Sequence, residues 1–203
     1  MTIRAVVFDI GGILEITPPL GIDEKWEKQL KLKAGELGER LGEVWGAGSL
    51  GTISEADVHR QIGSIMGWDA ALVNAFMADV WHEYLGTPNT ELIQYFEKLH
   101  GPYLTGIISN SFVGAREKEQ AAYRFEDMTD LIIYSHEVGI RKPDPQIYAI
   151  TCERLGVQPH EMVFLDDAEP NVIGACEFGI QAVLFKDNAQ AIAEINAILN
   201  TSD

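Results

Sequence analysis

The chain has 203 residues, 46% of them apolar and 23% charged, the balance of a globular protein long enough to bury a full core. Its formal net charge of −16 excludes a surface suited to nucleic-acid backbones or anionic lipids. No apolar run approaches the roughly 18 residues that a membrane span requires.

The first apolar run, 3–9, reads as a strand and ends in Phe8-Asp9-Ile10-Gly11-Gly12-Ile13-Leu14. The residues before it are too few and wrongly flanked for a signal peptide, which predicts a cytoplasmic protein. An acid at the carboxyl end of a parallel strand faces the crevice where open α/β sheets bind ligands. Asp9 could equally cap a tight turn that Gly11 and Gly12 permit.

Helical patterns follow, with almost no strand signal. Residues 24–45 make an irregular helical stretch interrupted by Gly35, Gly38 and Gly42. Beyond a candidate N-cap at Ser54, the residues Val58, Ile62, Ile65 and Met66 fall at i, i+4, i+7 and i+8. Val73, Phe76, Met77, Val80, Trp81, Tyr84 and Leu85 form a second, wider stripe, read as bundle core. Gly86-Thr87-Pro88 then returns the chain to the sheet. The predicted division is a core of 1–15 and 87–203 with a helical insertion at 16–86.

Four more strands are predicted at 104–109, 131–135, 162–167 and 181–185. Helices are predicted at about 112–122, 145–155, 170–178 and 188–199. Asp144-Pro145 supplies a capping acid and a proline at the first helical position. The runs are continuously apolar, as strands covered on both faces must be. Their alternation with helices predicts an α/β fold with a doubly wound parallel sheet. Cys152 and Cys176 lack metal-ligand spacing and read as buried free thiols.

Each strand end carries polar residues. Ser109-Asn110-Ser111 sets a hydroxyl and an amide at a strand-to-helix junction, suited to phosphate oxygens or to plain helix capping. Lys142 stands among prolines in Arg141-Lys142-Pro143-Asp144-Pro145. Asp166-Asp167 puts two carboxylates side by side, and they repel unless a cation lies between them. Hard oxygen ligands of this kind suit Mg²⁺.

Asp9, Ser109, Lys142 and Asp166-Asp167 follow four strands in the order of the four motifs of the haloacid dehalogenase (HAD) superfamily, which the whole chain resembles. The insertion resembles the helical cap of the subfamily holding haloacid dehalogenases, small phosphatases and the N-terminal domain of epoxide hydrolases. The resemblance implies a phosphohydrolase acting on a small phosphorylated metabolite, with Asp9 as nucleophile and an aspartyl-phosphate intermediate. It implies Mg²⁺ held by Asp9, the Gly11 carbonyl and Asp167, with Asp166 and Asn171 behind them. Ser109, Asn110 and Lys142 would hold the phosphoryl group, Lys142 also pairing with Asp9.

One position departs from the pattern. Family phosphatases carry a second aspartate two residues after the nucleophile as acid and base, and here that residue is Gly11. Glu15 lies near the same loop as a substitute. The departure keeps open a HAD-like binding or regulatory protein with little turnover. A metal-free 2-haloacid dehalogenase fits less well, since Asp166-Asp167 would sit uncompensated beside Asp9. Trp26, Trp45, Trp68 and Glu15 are candidates by location for recognising the substrate. No pattern in the sequence sets an oligomeric state.

Overall fold

A computed structural model describes residues 2–200; Met1 and residues 201–203, which the predicted core boundaries include, lie outside the described residues. From the N-terminus the chain forms β1 (Ala5–Phe8) and β2 (Glu15–Ile16), then four helices: α1 (Ile22–Leu30), α2 (Glu36–Ser49), α3 (Glu55–Met66) and α4 (Ala70–Leu85). It continues through β3 (Thr87–Pro88), α5 (Thr90–Leu99), β4 (Leu104–Ser109), α6 (Ala115–Tyr123), β5 (Leu131–Tyr134) and the short α7 (Ser135–Val138). The last elements are α8 (Pro145–Leu155), β6 (Met162–Asp166), α9 (Glu169–Phe178), β7 (Gln181–Leu184) and α10 (Asn188–Asn200).

The five predicted strands form one parallel sheet in the order β5-β4-β1-β6-β7. Alternation along β1 explains its continuous apolarity. Val6 and Phe8 join a core with Leu92 and Phe96 of α5 and Ile195 of α10, while Ala5 and Val7 join another with Ile147 and Tyr148 of α8. Helices thus cover both faces, and the strands must be apolar on both. Helix α5 was not among the predicted helices. Its Leu92, Phe96 and Leu99 recur at i, i+4 and i+7 and are buried, with the Phe96 ring 4.7 Å from that of Phe8.

The insertion is α1–α4, a helical cap following β1 and β2. The irregular stretch 24–45 is two helices. Lys31 caps the first at φ 59° and Gly35 opens the second at φ 80°, whereas Gly38 and Gly42 lie inside α2. Ser54 caps α3 through a reciprocal box with Asp57, and the Asp69 carboxylate accepts from Leu72 N to start α4. Trp26 and Trp68 flank Phe76, their ring centroids 5.3 and 5.4 Å from it. Both tryptophans therefore belong to the cap's own core. The cap joins the sheet domain through a two-strand ribbon, in which Glu15 pairs with Pro88 and Ile16 with Thr87. No described helix is long and apolar enough to cross a membrane.

The cap packs tightly on the sheet domain. A Cβ at Gly48 would lie 2.2 Å from the Phe112 ring, and one at Gly51, where φ is 66°, would lie 1.7 Å from the His136 carbonyl oxygen. Only glycine allows that backbone approach. Ser135 Oγ donates to Ser49 O at 2.9 Å, and Val113 N donates to Gly48 O at 3.2 Å. Nearby, the buried Glu119 of α6 accepts from Tyr134 OH at 2.5 Å and also bonds Tyr84 of the cap. Burial pushes the Glu119 carboxyl up to about 7, against the opposing pull of the two tyrosines.

A carboxyl raised in this way binds its proton more tightly folded than unfolded. Its contribution to stability is full below about 4.5, the ordinary value, and is lost as pH rises through about 7. Glu119→Gln removes that titration. The variant is expected to lose less stability than the parent between pH 4.5 and 7.5, by up to about 3 kcal/mol. Urea unfolding across that range measures it, and parallel curves for parent and variant would show that Glu119 is not held protonated.

Candidate active site

Adjacent parallel strands with matched ends bring residues far apart in sequence together. Asp9 N donates to Leu165 O at 2.9 Å, extending the β1–β6 ladder by one rung, so Asp9 stands beside Asp166 at the carboxyl edge. Lys142 enters from the loop between α7 and α8. Its Nζ lies 2.8 Å from Asp9 Oδ1 and 2.7 Å from Asp166 Oδ2, and its side chain is wholly buried. One ammonium therefore serves two carboxylates where water cannot.

The partners of each carboxylate differ. Asp166 accepts from Lys142 Nζ, from Ala168 N at 2.8 Å and from Asn171 Nδ2 at 3.0 and 3.2 Å. Asp9 Oδ1 accepts from Ile10 N at 2.8 Å as well as from Lys142. Burial pushes Asp9 up to about 6, Lys142 pulls it down, and the charge of Asp166 raises it again. Asp167 is exposed yet also raised, by partial burial and then by Asp166.

Oxygens of Asp9, Asp166 and Asp167 all lie within 4.8 Å of one another. Such a hard, anionic set fits Mg²⁺. With Asp166 engaged by Lys142, Ala168 and Asn171, the open ligands are Asp9 and Asp167. Gly12 has φ 72°, and a Cβ there would meet Asp167 Oδ2 at 2.3 Å, so glycine lets that carboxylate close over the loop. At Gly11 a Cβ would meet nothing within 4 Å, and its φ is not positive.

Ser109 ends β4, buried next to this cluster's strands. The Asn110 carboxamide donates to Lys142 O at 3.1 Å and accepts from Lys142 N at 2.8 Å, a two-way clamp on the lysine's backbone. Glu15 is buried, accepts from Thr17 Oγ1 at 2.8 Å and is pushed up to about 7, chiefly by burial. The sequence marks Ser111 as part of the Ser109-Asn110-Ser111 junction but not its partners, His136, whose Nδ1 its hydroxyl meets at 2.6 Å, and Ser135, whose Oγ accepts from Ser111 N at 2.9 Å. These contacts depend on long-range juxtaposition and leave no local pattern.

A cleft of about 680 Å³ opens between cap and sheet domain, with Asn110, Ser111, Arg141, Asp23 and Glu83 among its polar lining residues. Trp45, Val80, Trp81, Tyr84 and Phe112 form its walls. Of the tryptophans singled out by location, Trp45 alone reaches this cleft; Trp81, read from its stripe as bundle core, lines it as well.

Residues 3–179 match the family described as haloacid dehalogenase-like hydrolase. A sesquiterpene phosphatase of Aspergillus oryzae is 27% identical over 206 residues, covering 98% of this chain and 97% of its own. A D-ribitol-5-phosphate phosphatase of Bacteroides thetaiotaomicron is 23% identical over 210 residues, covering 98% and 100%. Other curated relatives are much longer, the chain spanning 19% of the length of some and 39% of another. A HAD family enzyme of B. thetaiotaomicron, crystallised with magnesium and inorganic phosphate, superposes with a TM-score of 0.76 at 25% identity, covering 91% of this chain and 94% of that one.

The buried triad generates a test of sign. Lys142→Met keeps an unbranched side chain but removes the ammonium, which lies 5.5 Å from the Phe164 ring centroid, and leaves two buried carboxylates without their cation, so a loss of about 3–5 kcal/mol is expected at pH 8. Asp9→Asn removes one of the mutually repelling charges, so it should cost far less or stabilise. Urea unfolding of both variants measures the difference, and equal stabilities would mean that Lys142 does not hold the cluster together.

Proposed function

The chain belongs to the haloacid dehalogenase-like hydrolases, and from that membership we propose that it is a magnesium-dependent phosphohydrolase acting on a small phosphorylated metabolite through an aspartyl-phosphate at Asp9. The observation that carries this reading is the buried Lys142 ammonium held between Asp9 and Asp166, with the Asp167 carboxylate open beside them.

With Oδ1 held by Ile10 N and Lys142, Asp9 presents its other oxygen to phosphorus. The new O–P bond forms as the ester bond breaks, and the leaving oxygen departs with its electron pair. Lys142 neutralises charge on Asp9 and on the phosphoryl oxygens, and Ser109 and Asn110 N–H or O–H groups hold those oxygens. Mg²⁺, held by Asp9, the Gly11 carbonyl and Asp167, would supply the remaining positive charge to the phosphoryl group. Water then attacks phosphorus, releasing phosphate and restoring Asp9. The unit 16–86 serves as the cap that shields this chemistry from bulk water.

Gly11 favours a second reading, a binding protein of weak turnover, because it offers a carbonyl but no proton. Glu15, buried and raised to about 7, is the carboxyl positioned in sequence to give one. Turnover separates the readings. Aryl phosphate hydrolysis is expected with Mg²⁺ and is expected to vanish in excess EDTA or in Asp9→Asn; a fully active Asp9→Asn protein would refute the covalent route. Because the space around Gly11 is open and its backbone unstrained, Gly11→Asp should fold normally. It should raise turnover of alkyl phosphates by up to about 10²-fold, with little gain on activated aryl phosphates. Steady-state kinetics on the two ester classes check this, and no gain on alkyl esters would mean that proton transfer does not limit the reaction.

A further inference from the structure

The cleft between cap and sheet domain is lined by chemically distinct groups. Arg141, next in sequence to the buried Lys142, lines it together with Asn110 and Ser111. Trp45, Val80 and Trp81 of the cap and Phe112 of the sheet domain give it an apolar wall. The rings form a continuous aromatic surface: Trp45 and Trp81 lie 5.6 and 6.1 Å from Phe112, centroid to centroid. The cleft also carries two carboxylates, Asp23 and Glu83, the latter accepting from Ile22 N at 3.2 Å.

Helix α2 contributes absence as well as presence. Gly42 and Gly46, one turn apart, both line the cleft, and a Cβ at either would meet nothing within 4 Å. Neither has a positive φ, so backbone geometry does not call for glycine there. What the two glycines give is room beside Trp45.

We propose that the organic half of the substrate is an uncharged, apolar group, so that the enzyme's preferred class is the monophosphate ester of a hydrophobic alcohol. The wall of Trp45, Val80, Trp81 and Phe112 stabilises carbon more than it does the hydroxyls of a polyol. Asp23 and Glu83 repel a second phosphate or carboxylate, which excludes bisphosphates, nucleotides and phosphorylated acids. This assignment rests on the phosphohydrolase reading above.

The test is a ladder of n-alkyl phosphates from propyl to octyl, assayed with Mg²⁺ beside polyol phosphates of equal carbon number. The value of kcat/KM should climb about fourfold per methylene, the rate equivalent of about 0.8 kcal/mol, until the cleft is full. Gly46→Leu puts a good helix former into the open space, so the variant should fold, and its ladder should stop at a shorter chain. Binding of n-alkylphosphonates, followed by tryptophan fluorescence, reads the same ladder without turnover. A flat ladder in both readouts, or polyol phosphates preferred at equal carbon number, overturns the assignment. Phosphonate affinity that climbs while no ester is hydrolysed upholds the apolar cleft and overturns the phosphohydrolase reading instead.

Discussion

One buried ammonium between two buried carboxylates is the constraint on which the remainder of the site depends. Removing three charges from water is expensive, and their attraction offsets that cost only when geometry and further hydrogen bonds are good. The fold supplies both. Strands β1 and β6 are neighbours, so Asp9 and Asp166 are fixed at one sheet edge by backbone bonds rather than by their own side chains. Asn110 grips the backbone of Lys142 on both sides of its peptide unit, and Asn171 and Ala168 N complete the shell of Asp166. What remains outside this shell is Asp167, the carboxylate with freedom to serve a cation.

The rest of the architecture shields and shapes that edge. Glycines at 48 and 51 let α2 and the turn after it sit directly on Phe112 and His136, and the Ser135 hydroxyl and the Val113 N–H tie the two surfaces together. Charge has the same logic. In a chain with 31 acids and 15 Lys and Arg residues, attraction for the phosphate of the proposed substrate cannot come from the surface as a whole. On that reading it must be local, and among the described residues the one lysine whose side chain is wholly buried stands between Asp9 and Asp166.

Much of this was legible in sequence because burial on both faces writes continuous apolar runs, and each run ended in polar residues at a predictable edge. The Asp144-Pro145 helix start and the Ser54 cap were equally plain, since capping chemistry is local. Helix α5 carries a period at Leu92, Phe96 and Leu99, but at ten residues it is short, and three apolar positions make a weak signal. The two-residue strands β2 and β3 are too short for any period. Trp81 shows a different limit. A helical stripe says that a residue avoids water, and both a bundle core and a cleft wall satisfy that. Asn110 shows a third, because its bonds run to a residue 32 positions away. The same holds for Glu119, whose tyrosines come from α4 and β5.

The ribbon of Glu15–Ile16 against Thr87–Pro88 has an implication for how such a molecule comes to exist. The chain leaves the sheet domain and re-enters it at the same rung, with the two crossings about one strand spacing, roughly 5 Å, apart. At the ribbon itself the sheet domain registers only that the ends of the insertion meet. A cap is therefore replaceable only together with its footing: another helical unit with neighbouring ends could join the ribbon, but it would have to meet Phe112 and His136 as closely as Gly48 and Gly51 do. The strand ends that hold the ion cluster and the helices that form one wall of the cleft are thus separate stretches of chain, joined at one hinge-like crossing and matched at one surface.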